Sequence, residues 1–338
     1  MIETYADVLA FSFPEVHSHA ICNVDFERTL RIPDDNRPYP LPAGLERFPL
    51  HHVDDYRQRL PASWAPHGGV FLPMYQAEAL WINFSSYYLG SYPCAVKIAA
   101  GKVNVLTGDP WHPALVADPQ DYVVVPEQRW LDGYAVGQGL IRQFVAMPLG
   151  EGYSAEEQLT ASATHGGLQI LVYPMKRERY AEVEADRARE IALNKMMFGE
   201  DVRFCKAPAG DEMGLAPGGL MIQKVVADPY GLDVWDQTIS ARCFVHIVNS
   251  LTYHAITGRH PPHKPPTAKE YARAKIPWFS HYAADKKALP GSRLLANLDS
   301  LATKFFKKGQ GTLPDNDPTK PRPVVSIMDT AKVREGEF

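Results

Sequence analysis

The chain predicts an α+β protein: a β-rich antiparallel body, sandwich-like or barrel-like, with one charged covering helix and a helical or irregular C-terminal appendage. Three observations carry this expectation. Short runs of β-branched and aromatic residues separated by turn residues fill the first 175 positions, a stretch of about 21 residues without Gly or Pro follows, and the charge changes sign late in the chain.

The strand-like runs are residues 70–74, 80–84, 95–98 and 102–106, then 122–125, 142–147 and 168–172, with Gly101 placed to turn a hairpin. Ser154 with Glu156 and Glu157 reads as a helix cap, and Gly166-Gly167 as the stop that ends the helix early. From Arg177 to Met197 the spacing predicts the longest helix, with Ala181, Ala185, Ala188, Ala192 and Met196 on the one narrow face that would lie on the body. Residues 220–226 and 242–248 follow as two more strands. The second is apolar on both faces and therefore central. Residues 250–257 and 293–308 suggest helices, and the Pro/Asp/Lys-rich residues 309–322 an irregular tail.

Charge divides the chain into a body of residues 1–258, including the helix at about 177–197, and an appendage of residues 259–338 packed on it. Residues 259–308 hold eleven Lys/Arg against three Asp/Glu, whereas residues 1–258 hold 20 against 31. The simplest partner for the basic segment is the acidic body or a second copy of the chain. Nucleic acid and membrane are disfavoured as partners, and a homo-oligomer or a small-molecule ligand is compatible with the pattern.

The net charge of -4 and ordinary Gly and Pro content exclude a collagenous or wholly disordered chain. No basic region precedes an apolar stretch at Met1-Ile2-Glu3-Thr4, and no run of about 18 apolar residues exists, so neither a secretory signal nor a membrane-spanning helix is expected. Cys22, Cys94, Cys205 and Cys243 lie far apart without a Cys-x-x-Cys pair, which fits a reducing cytoplasm.

Candidate chemistry starts from histidine density, since five of twelve histidines lie between residues 17 and 67. In an extended segment His17 and His19 would face one side and present two imidazoles to one ion. His51-His52 with Asp54 and Asp55 adds the mixed nitrogen and oxygen donors suited to zinc, iron or manganese. Adjacent side chains diverge, so only one of His51 and His52 joins such a set, and Asp54 is equally suited to cap a helix before Tyr56. His67-Gly68-Gly69 has the opening of an esterase oxyanion loop, but no Gly-x-Ser-x-Gly accompanies it, and a turn before residue 70 is the simpler role. His246 on the central strand is the expected buried pocket acid or base, with Cys243 on the opposite face.

Nucleotide cofactors are not expected. Gly137-Gln138-Gly139 leads into a strand-like run instead of a helix, and no Walker A sequence is present. His254, His260 and His263 lie in a proline-rich stretch that reads as an extended linker. Asp228, Asp233 and Asp236 read as turn and cap residues.

The wording of residues 72–81, 143–150 and 228–236 resembles an uncharacterised group of bacterial proteins. The resemblance spans most of the chain and implies no activity and no catalytic residues. Two functional expectations therefore stand on the residues alone. One is a metal-dependent enzyme acting on a small molecule, an oxidoreductase or hydrolase, with His17, His19, His51 or His52, and Asp54 or Asp55 as ligands and His246 as acid or base. The other is a non-catalytic binding or assembly protein whose basic C-terminal segment contacts an acidic surface.

Overall fold

The structure, a computed structural model, describes residues 1–84, 91–191, 212–282 and 286–328. Strands account for 37% and helices for 16%. A nine-stranded sheet runs in the order Ile2–Tyr5, Val8–Ser12, Ile21–Thr29, Ala79–Asn83, Leu140–Pro148, Gly133–Gly137. Three further strands branch from it: Gly44–Arg47 on Ile21–Thr29, Trp130–Leu131 on Ala79–Asn83, and Met213–Ile222 on Leu140–Pro148. A seven-stranded sheet runs Val103–Asn104, Cys94–Ala100, Leu168–Pro174, Ala241–Asn249, Val70–Met74, His51–His52, with Val123–Val125 beside Cys94–Ala100. Leu41–Pro42, Trp278–Tyr282 and Val324–Met328 make a small third sheet. Pairing is antiparallel except between Val70–Met74 and Ala241–Asn249 and between Trp278–Tyr282 and Val324–Met328.

Alternation along each strand sorts the residues. Val24, Phe26, Leu80, Ile82 and Phe144 of the first large sheet share one continuous core with Leu72, Ile98, Ile170, Cys243 and Val245 of the second. The body is thus a two-layer packing with one apolar interior. Outward-facing residues gather in two satellites. Ala79, Val145, Met147 and Ala216 are covered by Leu301 and Leu313, whereas Phe71 and Val248 are covered by Val53, Trp64, Tyr253 and Ile256.

The C-terminal segment docks on the body through specific bonds. Leu289 donates to Val225 O and Ser292 to Ala135 O, each at 2.8 Å, and Asp34 receives Ala302 N–H on its carboxylate at 2.7 Å. Lys286 lies 3.3 Å from Glu127 and Lys308 3.7 Å from Glu151, so part of the basic charge meets acid of the same chain. Such pairs near the surface add little stability individually. The hydrogen bonds and the apolar burial of Leu295, Leu301 and Leu313 hold the segment.

Several local expectations need correction. The helix Arg177–Ile191 packs through Tyr180 and Val183, while Ala181 and Ala185 are exposed. Tyr180 buries far more apolar area than an alanine and finds Tyr92 with ring centroids 4.1 Å apart, which turns that side inward. Residues 192–197 of the expected helix lie outside the described residues. The helix Ala155–Thr160 has the expected Ser154 capping box, but it ends at Ala161 in a left-handed conformation, before Gly166. Asp54 does not cap a helix. A 3-10 turn spans Val53–Tyr56 with His52 at its N-cap, and Asp54 pairs with Arg57 at 2.8 Å.

Lys97, on strand Cys94–Ala100 of the seven-stranded sheet, forms a buried pair with Asp121, which lies just before strand Val123–Val125. Lys97 Nζ is 2.5 Å from Asp121 Oδ2, 2.5 Å from Ala114 O and 3.2 Å from His112 Nδ1, so three acceptors surround its three donors. Burial lowers the Lys97 pKa and Asp121 pulls it back up. Asp121→Ala should therefore cost about 3–5 kcal/mol of unfolding free energy, because it leaves an ammonium buried without its counter-charge. The double replacement Lys97→Met with Asp121→Leu should recover most of it in urea melts. A single-variant loss below about 1 kcal/mol would mean that the lysine is solvated in the fold.

Candidate functional site

A cavity of about 450 Å³ opens where the short strand Gly44–Arg47 borders the nine-stranded sheet. Asp7, Glu27, Glu46, Arg47 and His263 supply its polar lining, with Ala6, Leu45, Pro49 and Pro262 between them. Four stretches of sequence meet there. Ala6 and Asp7 turn the first hairpin with φ of 45° and 62°, the left-handed pair that a two-residue hairpin turn requires. That turn lets Asp7 Oδ1 accept Leu50 N–H at 2.9 Å. Glu27 stands opposite Arg47 and Arg28 opposite Glu46 in the pairing of the two strands. His263 arrives on the proline-rich stretch and places Nδ1 against Glu46.

A charged chain continues from the cavity into the interior. Arg28 Nη1 is 3.4 Å from Glu46, its Nη2 bonds Glu78, and its guanidinium lies 5.3 Å from the Phe48 ring centre. Glu78 Oε2 also accepts Tyr75 N–H at 2.8 Å. Burial raises the Glu78 carboxyl to about 7 even though Arg28 holds it down. Alongside, Asp25 receives Asn83 Nδ2 on both oxygens at 3.2 Å, and Arg47 lies 3.3 Å from Asp25 and 3.9 Å from Glu27. Three carboxylates against one guanidinium make the cavity wall acidic. His263, Glu46, Arg28 and Glu78 form one continuous series of charged contacts from the cavity inward.

The residues expected from the sequence divide among different surroundings. His17 and His19 do come together, with ring centroids 5.1 Å apart at 76°, but His17 Nδ1 accepts His19 N–H at 3.1 Å and its ring packs on Tyr92 and Tyr180. His51 and His52 diverge. His51 Nε2 meets Tyr253 OH at 2.8 Å, and burial lowers its pKa, with Asp7 opposing. His52 Nε2 meets Thr4 Oγ1 at 2.5 Å. Asp54 faces Arg57, and Asp55 is exposed. Among the described residues no group of three or more His, Cys, Asp or Glu is placed to hold a metal ion. The expected ligands thus form one pair and several separate contacts.

His246 is buried on the outer face of the seven-stranded sheet, stacked on Trp64 with centroids 4.1 Å apart at 17°. Its Nε2 is 3.0 Å from Gly68 O, which can only accept, so Nε2 carries the proton. Cys243 faces inward, as the odd spacing requires, and burial raises its thiol to about 12. Two more histidines stand beside His246: His67, expected only in a turn, and His165, which carried no expectation. His67 lies 6.5 Å from it and 5.2 Å from His165, centroid to centroid. The available signal was a repeated wording, His67-Gly68-Gly69-Val70 and His165-Gly166-Gly167-Leu168. For Glu46 and His263 no local signal exists, because their meeting depends on where the proline-rich stretch returns to the sheet.

Burial lowers the His246 pKa from 6.5 to about 4, outweighing the bond to Gly68. Between those values the unfolded chain binds more protons than the folded one, so this histidine adds stability that is complete above pH 6.5 and lost as pH falls toward 4. The full effect is about 3 kcal/mol. In urea melts across this window the wild type should lose about 3 kcal/mol relative to His246→Phe as pH falls from 6.5 toward 4; equal slopes would refute the assignment. No family model, curated protein or solved structure matches this chain.

Proposed function

We propose that the acidic cavity is the site of an acid–base enzyme, a hydrolase acting on a small polar molecule. The observation that carries this reading is the His263–Glu46 pair on the cavity wall. A carboxylate on one imidazole nitrogen fixes the ring's orientation and tautomer and stabilises the imidazolium that forms when the ring takes a proton. Arg28 behind Glu46 supports the carboxylate, and Phe48 and Glu78 support Arg28. The ring is therefore held by a stack of supporting contacts.

In this reading His263 takes a proton from a water molecule and returns it to the leaving group. Glu27 and Asp7 orient hydroxyl or amine groups of the substrate by accepting their hydrogen bonds. The change from the metal-based expectation rests on where side chains lie: His17 with His19, His51 with Tyr253, and His52 with Thr4 are in three different settings. The assembly alternative gains less support, since Lys286, Lys308 and His263 of the basic segment already meet Glu127, Glu151 and Glu46 of the body.

The test is turnover of chromogenic esters, amides and glycosides by the purified protein. Whichever class is cleaved, His263→Ala and Glu46→Gln should each lower kcat by about 10²–10⁴-fold with unchanged circular dichroism. Turnover that survives both replacements, or its absence across all three classes, would remove the proposal.

A further inference from the structure

Strand Ala241–Asn249 has neighbours on both sides, and both meet it at the same rung. Val70 and Leu168 each pair with Val245, one strand running parallel and the other antiparallel. The two segments therefore reach this rung from opposite ends, and each enters through His-Gly-Gly. All four glycines have positive φ, between 48° and 82°. At Gly69 a Cβ would lie 2.1 Å from Phe244 O, and at Gly167 one would lie 2.4 Å from Val245 O. Glycine is needed at both places for the loops to lie this close to the strand. The consequence is that two histidines 98 positions apart in sequence are carried on backbone pressed against one strand.

The two rings lie close together. Their centroids are 5.2 Å apart and their planes cross at 77°, much as at His17 and His19; there His17 Nδ1 is occupied by His19 N–H at 3.1 Å, whereas among the described residues neither the His67 ring nor the His165 ring has a hydrogen bond. Metal–nitrogen bonds of about 2.0–2.1 Å put two neighbouring imidazoles on one ion at roughly this separation, and crossed planes avoid ring contact. Both residues are half-buried and reach solvent, which leaves an ion room for water. His246 lies behind the pair and holds the first loop through Gly68 O and Trp64.

We infer that His67 and His165 form a binding site for one borderline first-row transition-metal ion, zinc or copper(II), with water completing the coordination. Imidazole donors select these ions over magnesium and calcium, which take oxygen ligands. The site is separate from the acidic cavity, and its occupancy can be tested without any turnover.

The experiment uses the full chain purified without an affinity tag, titrated with Cu²⁺ and followed by electron paramagnetic resonance, and with Zn²⁺ followed by histidine ¹⁵N NMR. One Cu²⁺ per chain with hyperfine coupling to two imidazole nitrogens is expected. Zn²⁺ should shift the signals of two histidines, His67 and His165. His67→Ala and His165→Ala should each weaken binding at least tenfold, whereas the pair His17→Ala with His19→Ala should leave it unchanged. Binding that is absent, that persists in the first two variants, or that disappears in the His17/His19 variant overturns the inference. The wild-type NMR shifts decide the matter even if a variant misfolds.

Discussion

The sharing of one apolar interior by two sheets is the constraint from which the rest of the structure follows. Each strand has two faces, and in the central strands one of them is consumed by the common core. Phe26 faces inward and Glu27 outward; Cys243 and Val245 face inward and Phe244 and His246 outward. Polar chemistry is thereby driven to the outer faces and to the edges, where solvation and partners are available. Arg28 with Glu78 and Lys97 with Asp121 remain inside as pairs with further hydrogen bonds, because an isolated buried charge is costly, whereas among the described residues the buried Asp132 has only Gln223 and burial raises its carboxyl to about 7.

The edge cavity and the paired imidazoles are two outcomes of that constraint. Strand Gly44–Arg47 is only four residues long, so the sheet border beside it is left to side chains from the first hairpin and the proline-rich stretch. Acid collects there because Glu27, Glu46 and Asp7 approach from separate strands and turns, with Arg47 and Arg28 limiting their mutual repulsion. On the second sheet, the central strand needs partners on both sides. The loops that deliver those partners come close to its backbone at Gly69 and Gly167, where a side chain would collide with Phe244 O and Val245 O.

How far the sequence discloses this depends on the range of the interaction. Residues 70–74, 168–172 and 242–248 were legible as strands because β-branched runs report local backbone preference, and the Ser154 cap was legible because its partners lie within three residues. Strand Ile21–Thr29 was missed. Cys22, Val24 and Phe26 do alternate with Asn23, Asp25 and Glu27, but the pattern ends at Arg28, a charge on the inward face whose buried partner Glu78 lies 50 positions away. The six expected metal ligands were chosen by proximity in sequence; His17 and His19 are in ring contact, whereas His51, His52 and Asp54 bond to Tyr253, Thr4 and Arg57. His263 was read as a linker residue because prolines surround it, although those prolines direct it to Glu46.

Residues 53 to 69 show why the two sites cannot be considered fully apart. Val53, Tyr56, Leu60 and Trp64 pack on Phe71, Val248, Tyr253 and Ile256, forming an apolar patch outside the main core. The chain just before this patch carries His51, which touches Tyr253 and feels Asp7 of the acidic cavity. At its far end come His67 and Gly68, which reach His165 and His246. One packed segment thus spans from the neighbourhood of the cavity to the imidazole pair. Its apolar contacts fix the position of both ends, since a displacement of Trp64 would remove the stack on His246 and shift the patch that supports Tyr253. The placement of histidines in this protein is therefore decided less by their spacing in sequence than by the aromatic residues between them, which anchor the backbone that carries them.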